Sequence, residues 1–194
     1  MSRRESRGGD LPLIAWGEEL RHRKLARRRL RRRIILVAGL LGAVILSAVV
    51  PIAPRFVWNG SASAPLGLYL VSPGPDARRG TMVIARVPLA VRVFAASRRY
   101  IPADVPLVKH VGAVPGDTVC AIGVRITIDG KVVATRRARD GSGRPMPWWQ
   151  GCRLLHQGDV FLLAAGVPAS FDGRYFGVSA TADIIGTARP LWTR

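Results

Sequence analysis

The feature that most restricts how this 194-residue chain can fold is a long uncharged stretch that directly follows a block of arginines. Residues 34–54 contain no charged side chain, whereas residues 21–33 carry nine cations and no acid. As an α-helix, residues 34–54 would extend about 31 Å, which matches the hydrocarbon core of a bilayer. Because the cationic flank of a membrane span stays on the cytoplasmic side, the pattern predicts a cytoplasmic N-terminus.

Three other interpretations compete with a membrane anchor. An arginine block can bind nucleic acid, and an apolar stretch can be a cleavable signal peptide or a buried helix. However, a signal peptide has an apolar core of only about 7–15 residues close to the N-terminus, and a buried helix rarely has Ser47 as its one polar residue. We therefore predict a basic cytoplasmic tail at 1–33 and a transmembrane signal anchor at 34–54, with the lipid bilayer as a partner and nucleic acid disfavoured. Residues 11–20 are expected to form either a short interfacial helix or an unstructured tail.

The composition excludes several classes of protein. A hydrophobic fraction of 48% is too high for a disordered basic protein, in spite of the net charge of +18. Two cysteines cannot build a disulfide scaffold or a cysteine-based zinc site. Cys120 and Cys152 are a candidate disulfide if they lie in an oxidising bacterial periplasm. The sequence alone does not show that they come within bonding distance, so their pairing stays open.

Residues 55–194 have the pattern of a β-rich domain, in which short apolar runs alternate with Gly, Pro and Asp. Asp129-Gly130 is a two-residue link typical of a type I′ hairpin turn. The spacing of apolar residues predicts one short helix at 89–100. Residues 136–151 are expected to form a long exposed loop or insertion. The predicted strands are 68–71, 81–87, 107–114, 124–128, 131–135, 160–164 and 184–188.

Histidine chemistry receives little support from the sequence. His22, His110 and His156 are scattered and include no His-x-x-x-His pair, so we predict no metal site. A Ser-His-Asp triad could use His110 or His156, but neither lies in a recognisable catalytic setting, and a surface or structural role is favoured. Asn59-Gly60-Ser61 fits a glycosylation sequon, a pattern that is common by chance.

Lysine is the informative cation, because only three of the 30 basic residues are lysines. Lys109 lies in an apolar run, and strand alternation would place it on one face with Leu107 and Val111. A lysine on such a face can lose its proton and act as a base, whereas an arginine cannot. Desolvation would have to lower its pKa from about 10.4 to roughly 7–8. A solvated lysine on an edge strand is the alternative.

A lysine base needs a nucleophile, and two serines, Ser61 and Ser63, stand among small residues soon after the apolar stretch. Small neighbours allow the backbone of a substrate to approach closely. Pro65 would rigidify the turn that presents the hydroxyl. The alternative interpretation of this segment is an ordinary linker.

Four segments together resemble the conjugative-transfer signal peptidases, the TraF type within the signal peptidase I superfamily of Ser/Lys-dyad serine peptidases. Residues 63–69 (Ser-Ala-Pro-Leu-Gly-Leu-Tyr) are similar to the family's Ser-x-Pro-x-Gly-Leu-Tyr signature. Residues 109–117 resemble its lysine block, and residues 170–177 resemble its C-terminal Ser-x-Asp-x-Arg-Tyr-x-Gly block. Residues 184–192 fit as well. The match covers residues 56–194 and implies a mainly β, signal peptidase I-like catalytic domain preceded by one N-terminal transmembrane helix.

The resemblance implies a Ser/Lys dyad, with Ser63 as the nucleophile and Lys109 as its neutral general base. The hydroxyl of Ser61 would line the oxyanion hole beside the backbone N–H of Ser63. Ser170 would hydrogen-bond to the lysine and orient it.

A supporting ion pair between Asp172 and Arg174 is also implied. Two positions depart from related patterns. Only Ala64 separates the serine from the proline, whereas signal peptidase I proper has Ser-Met-x-Pro, and this difference favours the conjugative branch. Gly173 stands where a serine is more usual, which we interpret as a mild change.

The resemblance implies a membrane-anchored serine endopeptidase of the bacterial inner membrane, with residues 55–194 as its periplasmic peptidase domain. It would process a membrane-associated precursor, expected to be a conjugative pilin, through an acyl-enzyme and without a cofactor or metal. Whether water or an amine resolves the acyl-enzyme stays open. Two other functions also stay open: a general type I signal peptidase that removes secretory signal peptides, and a non-enzymatic anchored assembly factor of the conjugation apparatus.

Overall fold

The computed structural model of the chain describes residues 11–49 and 55–194. The chain divides into two compact units, Met1–Ile52 and Ala53–Arg194. Among the described residues, the first unit contains a single helix and the second contains all the strands.

The first unit is built on helix α1 (Leu11–Val49), which has 39 residues. Leucine, alanine and arginine dominate this segment and have high helix propensities. Its proline, Pro12, lies in the first turn, where a missing N–H is tolerated. The helix passes without a break through residue 33, where we predicted the end of the basic tail. Residues 11–20 are thus helical and not an unstructured tail, but they belong to this longer helix and do not form a separate short one, and their position at a membrane interface stays a prediction.

The predicted transmembrane anchor at 34–54 receives no support from the described part of the chain. Residues 34–49 belong to α1, whereas residues 50–54 lie outside the described residues. Within 11–49 and 55–194, no helix combines the length and the apolar character that crossing a bilayer requires.

The second unit contains a seven-stranded sheet whose neighbouring strands are all antiparallel. Its strands are β1 (Phe56–Asn59), β2 (Gly67–Pro73), β3 (Met82–Ala85), β4 (Leu107–Ala113), β9 (Asp159–Leu163), β10 (Ser179–Ala180) and β11 (Ile184–Thr193). They lie in the order β1-β2-β11-β3-β4-β9-β10, so β4 is an interior strand.

A second, four-stranded antiparallel sheet follows β4 along the chain. Its strands are β5 (Thr118–Ile122), β6 (Arg125–Ile128), β7 (Lys131–Thr135) and β8 (Gly151–Leu154), in the order β7-β6-β5-β8. The helical elements of this unit are α2 (Leu89–Ser97), α3 (Gly173–Phe176) and a 3-10 turn (Thr181–Asp183).

The two sheets share a hydrophobic core. Val119 and Ile126 of the small sheet are buried together with Phe161 and Leu163 of β9. Burial of such large apolar side chains is the main favourable contribution to folding. The large sheet therefore contributes Ala113, Phe161 and Leu163 to the core of the small sheet.

A disulfide joins two strands of the small sheet. Cys120 in β5 and Cys152 in β8 are directly opposite each other in the strand register, and their sulfurs are bonded. The bridge closes a segment with a sequence separation of 32 residues, which contains the loop between β7 and β8.

The prediction of a mainly β domain is confirmed, and several local expectations agree with the structure. Both residues of the Asp129-Gly130 turn have positive φ, 49° and 75°, as a type I′ turn requires. Helix α2 ends at Ser97 rather than near residue 100, because Arg99 has a left-handed φ of 60°. Strands β1, β5, β8 and β10 were not predicted. Strand β8 is exposed along its whole length and β10 has two residues, so neither shows the alternation that indicates a strand.

Candidate active site

The serine segment is a loop between two paired strands. Asn59 ends β1, Gly67 begins β2, and these two residues are register partners, so residues 60–66 form a closed loop. A Cβ atom on Gly67 would lie 2.0 Å from the carbonyl oxygen of Trp192 in β11. Only glycine therefore permits this approach of β11. The Tyr69 hydroxyl donates a 2.7 Å hydrogen bond to the Pro65 carbonyl oxygen and fixes the loop from β2.

The side chain of Asn59 holds the loop from the other end. It is only 4% exposed. Its Nδ2 lies 3.0, 3.0 and 3.1 Å from the carbonyl oxygens of Ser61, Ala64 and Pro65, respectively. Its Oδ1 accepts hydrogen bonds from the backbone N–H of Ser61 at 3.1 Å and from the Ser61 hydroxyl at 2.9 Å. The hydroxyl oxygens of Ser61 and Ser63 are 2.9 Å apart.

Lys109 lies in the middle of β4, between β3 and β9, and is 3% exposed. The alternative of a solvated edge-strand lysine is therefore wrong. Its Nζ donates a 2.8 Å hydrogen bond to the Ser170 hydroxyl. Burial lowers the pKa of Lys109 from 10.5 to about 8; the Asp172 carboxylate acts in the opposite direction and Arg174 in the same direction. Near pH 8, a substantial fraction of this amine is neutral.

The C-terminal block forms a buried polar network next to the lysine. Arg174 donates to both carboxylate oxygens of Asp172, at 2.8 and 3.1 Å. Asp172 also accepts from the backbone N–H of Ala164 at 2.9 Å, and Arg174 donates to the carbonyl oxygen of Ala164 at 2.7 Å. Both charged residues are buried. This arrangement satisfies each charge with its partner and with backbone groups, as buried ions require.

Gly173 lies within this network and has no room for a side chain. A Cβ atom there would be 2.7 Å from a ring carbon of Phe161 and 2.8 Å from the carbonyl oxygen of Leu162. A serine at this position would need a shift of β9, so the interpretation of Gly173 as a mild change was wrong.

One cavity of about 580 Å³ brings the predicted residues together. Ser61 and Ser63 line it from the loop, Lys109 from β4, and Ser170 from the C-terminal block. The ion pair of Asp172 and Arg174 supports this cavity from behind and is not part of its lining. Most of the remaining lining is apolar, which provides the low-polarity surroundings that favour a neutral lysine.

The loop between β7 and β8 forms another wall of the same cavity. Residues 137, 139–141 and 146 line it, and the Asp140 carboxylate accepts a 2.6 Å hydrogen bond from the Tyr100 hydroxyl across the cavity wall. The root of the loop is fixed, because Arg136 is buried, contacts the face of Trp148, and donates to the Gly123 carbonyl oxygen. The expected loop is present, but it is not exposed throughout.

The histidines do not line this cavity, although His110 lines a second one, of about 430 Å³, together with Ser63. His110 follows Lys109 in β4 and is exposed on the other side of the strand, and His156 is also exposed. Within residues 11–49 and 55–194, no three His, Cys, Asp or Glu side chains gather in a way that could hold a metal ion.

With this geometry established, comparison with known proteins identifies the family. The model of the family described as "Signal peptidase, peptidase S26" matches residues 28–192. The chain belongs to the signal peptidase family, peptidase S26. Its resemblance to the TraF type is also confirmed by curated relatives, which match over most of their length.

Two of these S26 relatives illustrate the similarity. A plasmid transfer protein TraF of Escherichia coli is 30% identical over 174 residues, covering 85% of this chain and 97% of that protein. A conjugal transfer protein TraF of Agrobacterium fabrum is 32% identical over 174 residues, covering 84% and 97%, respectively. The crystal structure of a signal peptidase I from Enterococcus faecalis has a TM-score of 0.35 and 17% identity, and covers 60% of this chain and 98% of that one.

The contacts of Asn59 in this S26 peptidase were not predicted from the sequence, where Asn59 attracts notice only as part of a chance sequon. A usable signal was present: Asn59 is the only asparagine in the sequence, and it lies two residues before Ser61 and four before Ser63. Its several contacts depend on the closed form of the loop, which the sequence does not reveal.

Proposed function

We propose that this S26 peptidase is a serine endopeptidase that uses Ser63 as nucleophile and Lys109 as general base. The observation that carries the proposal is the buried Lys109, with its pKa lowered to about 8, lining the same cavity as Ser63. A hydroxyl becomes a useful nucleophile when a neutral base can take its proton, and a desolvated lysine can do this near neutral pH.

In the proposed reaction, the Ser63 oxygen attacks the carbonyl carbon of the scissile peptide bond and its proton passes to the neutral Nζ of Lys109. Lys109 then gives that proton to the nitrogen of the leaving amine, so the peptide bond breaks and an acyl-enzyme remains. In hydrolysis, water attacks this ester, Lys109 takes the water proton, and Ser63 recovers it as the acid product leaves.

Two serines have supporting parts in this proposal. The Ser170 hydroxyl, 2.8 Å from Nζ, orients the amine. The Ser61 hydroxyl and the backbone N–H of Ser63 would stabilise the oxyanion, a contribution that is typically worth about 10²–10³-fold in kcat for one donor.

We propose a membrane-associated precursor of a conjugation apparatus, pilin-like, as the substrate. The support is the similarity to relatives that are named plasmid or conjugal transfer proteins. Location at the bacterial inner membrane, with the peptidase domain in the periplasm, is a further proposal and rests on the sequence pattern of residues 21–54. Carbonate extraction of membranes and reporter fusions at each end of the chain would test it.

The activity is tested by cleavage of a pilin-like precursor by the full chain in detergent micelles. Ser63→Ala and Lys109→Met are each expected to lower kcat by at least about 10³-fold. Lys109→Arg should be equally inactive, because arginine stays protonated.

His156→Ala is the matched control, since its side chain is exposed and lines neither cavity, and His110→Ala is measured in parallel because His110 lines the second cavity with Ser63. We expect kcat within about twofold of the unsubstituted chain. Full activity of both Ser63→Ala and Lys109→Met would contradict the Ser/Lys dyad. No cleavage by the unsubstituted chain, together with intact precursor processing in cells that carry either variant, would favour a non-enzymatic assembly factor. Loss of activity in His110→Ala alone would instead indicate a histidine-based triad.

Secretory precursors, the substrates of a general type I signal peptidase, are the second candidate substrate class. A secretory precursor with an Ala-x-Ala boundary, offered in parallel, separates the two. Preferential cleavage of the secretory precursor would overturn the conjugative assignment while leaving the Ser/Lys chemistry intact.

A further inference from the structure

We propose that Asn59 is a positioning residue that fixes both the shape of the serine loop and the direction of the hydroxyl protons within it. The inference rests on the proposed function, because it concerns how Ser63 and Ser61 are prepared for the reaction. It is carried by the buried amide of Asn59 and by the chemical types of the atoms around it.

The orientation of the Asn59 amide follows from its neighbours. On one side lie three carbonyl oxygens, those of Ser61, Ala64 and Pro65, all within 3.1 Å of Nδ2. Carbonyl oxygens can only accept hydrogen bonds, so the NH₂ group must face them. On the other side is the backbone N–H of Ser61, which can only donate and lies 3.1 Å from Oδ1. A flipped amide would oppose oxygen to oxygen and N–H to N–H, and is therefore excluded.

The fixed amide determines where the serine protons point. Oδ1 of Asn59 can only accept, and the Ser61 hydroxyl lies 2.9 Å from it, so the single proton of Ser61 is directed to Asn59. Ser61 then has no proton left for its 2.9 Å contact with Ser63. Ser63 must be the donor of that hydrogen bond. The result is a one-way chain from Ser63 to Ser61 to Asn59.

These two hydrogen bonds describe the site before substrate binds, and substrate binding can change them in a defined way. While Ser63 donates its single proton to Ser61, it does not donate to Lys109, whose amine is hydrogen-bonded to Ser170. When a substrate carbonyl enters, rotation of the Ser61 hydroxyl moves its proton from Asn59 to the developing oxyanion. The Ser61 oxygen then no longer presents a lone pair to Ser63, so the Ser63 proton can turn to Lys109. Asn59 thus keeps both oxygens in place while only the protons move.

The first test measures cleavage of a pilin-like peptide by the full chain in micelles, with kcat expressed per site that reacts with an acylating serine inhibitor. For Asn59→Ala we expect kcat per site to fall on the order of 10²-fold, with KM changed by less than about threefold. Asn59→Asp keeps the size and an acceptor for Ser61, but it places an oxygen against three carbonyl oxygens, so its kcat should fall similarly. Gln157→Ala, which removes an exposed amide, is the matched control and should be unchanged.

A double-mutant cycle with Ser61 distinguishes a positioning role of Asn59 from a merely structural role. In a Ser61→Ala background, Asn59→Ala should lower kcat much less than it does alone, because the proton chain is already broken. Full additivity of the two changes would overturn the proton chain. A lower melting temperature with an unchanged kcat per reactive site would overturn the positioning role.

A measurement on the unsubstituted chain covers the case in which the variants do not fold. Because the sequence has one asparagine, ¹⁵N-asparagine labelling gives a single side-chain NH₂ pair in an NMR spectrum. We expect slow solvent exchange of this pair and a shift when the inhibitor acylates Ser63. Rapid exchange, or no shift on acylation, would overturn the inference. The proposed function is tested by a different experiment and is wrong if Ser63→Ala and Lys109→Met leave cleavage intact.

Discussion

The two sheets of the second unit meet in one core but contain different kinds of residues. The seven-stranded sheet buries the ionisable Lys109 in an interior strand at the cavity, and the buried Asp172–Arg174 pair at the start of α3 lies behind that cavity. The four-stranded sheet buries apolar side chains such as Val119 and Ile126. Its other face exposes large apolar side chains, and a disulfide joins two of its strands.

The group proposed to carry out the chemistry therefore lies in the large sheet, whereas the small sheet contributes mainly to stability. Burying a charge costs free energy, so the polar side of the large sheet is retained at the expense of stability, a common feature of active sites. The small sheet has no group in the predicted chemistry, and its disulfide restrains the unfolded chain. Changes in the large sheet should therefore alter activity and stability in opposite or unequal ways, whereas changes in the small sheet should alter stability alone.

The largest expected effect is at Lys109. Its lowered pKa means that the folded state at pH 7 tolerates a buried charge at a cost of about 3 kcal/mol. Lys109→Met should therefore abolish cleavage, by at least about 10³-fold, and leave the free energy of unfolding unchanged or raised by up to about 3 kcal/mol. Kinetics combined with urea unfolding at pH 7 measures both. A marked loss of stability would show that the buried amine is a structural group.

A similar test applies to the ion pair behind the cavity. Asp172→Asn leaves Arg174 charged and buried without its carboxylate, which typically costs about 3–5 kcal/mol. We expect a loss of stability of this size in chemical denaturation. Replacement of the exposed pair partner Asp76, which contacts Arg78, should cost less than about 1 kcal/mol and is the control. Equal effects of the two changes would contradict the distinction between buried and exposed pairs.

Changes in the small sheet should lower stability and leave activity almost unchanged. Replacing both Cys120 and Cys152 with serine is expected to lower the free energy of unfolding by about 3–4 kcal/mol, as loop closure over 32 residues predicts. The kcat at a temperature well below melting should stay within about twofold. A large fall in kcat of the folded variant would mean that the small sheet controls the cavity through the loop between β7 and β8.

The most gradual effect is the pH dependence. The proposed base works as the neutral amine, so kcat/KM should rise about tenfold per pH unit and level off near pH 8, the pKa of Lys109. Stability should also increase with pH between about 8 and 10.5, because the unfolded chain binds the lysine proton in that range and the folded chain does not. In Lys109→Met the stability increase should vanish. A rate plateau already below pH 6 would contradict a lysine base.

The success of the sequence analysis differs between elements for physical reasons. Strand β4 was predicted because apolar residues stand on both sides of Lys109 and His110, between turn residues. Strand β8 was missed because all of its side chains are exposed, so no hydrophobic pattern marks it. The structural demand at Gly173 was also missed, since it arises from Phe161 and Leu162 in a strand that is distant in sequence.

The sequence by itself determined the β-rich class of residues 55–194 and the identities of the candidate groups, because alternation, turn residues and the Ser, Lys and C-terminal blocks are local features. Tertiary structure decided the rest. Lys109 has a lowered pKa only because the folded domain buries its side chain, and Ser63 lines the same cavity only because the β1–β2 loop comes close to β4. Desolvation and proton direction depend on which atoms surround a group in space, and the part of Asn59 in the site became visible only when its three carbonyl partners were in place.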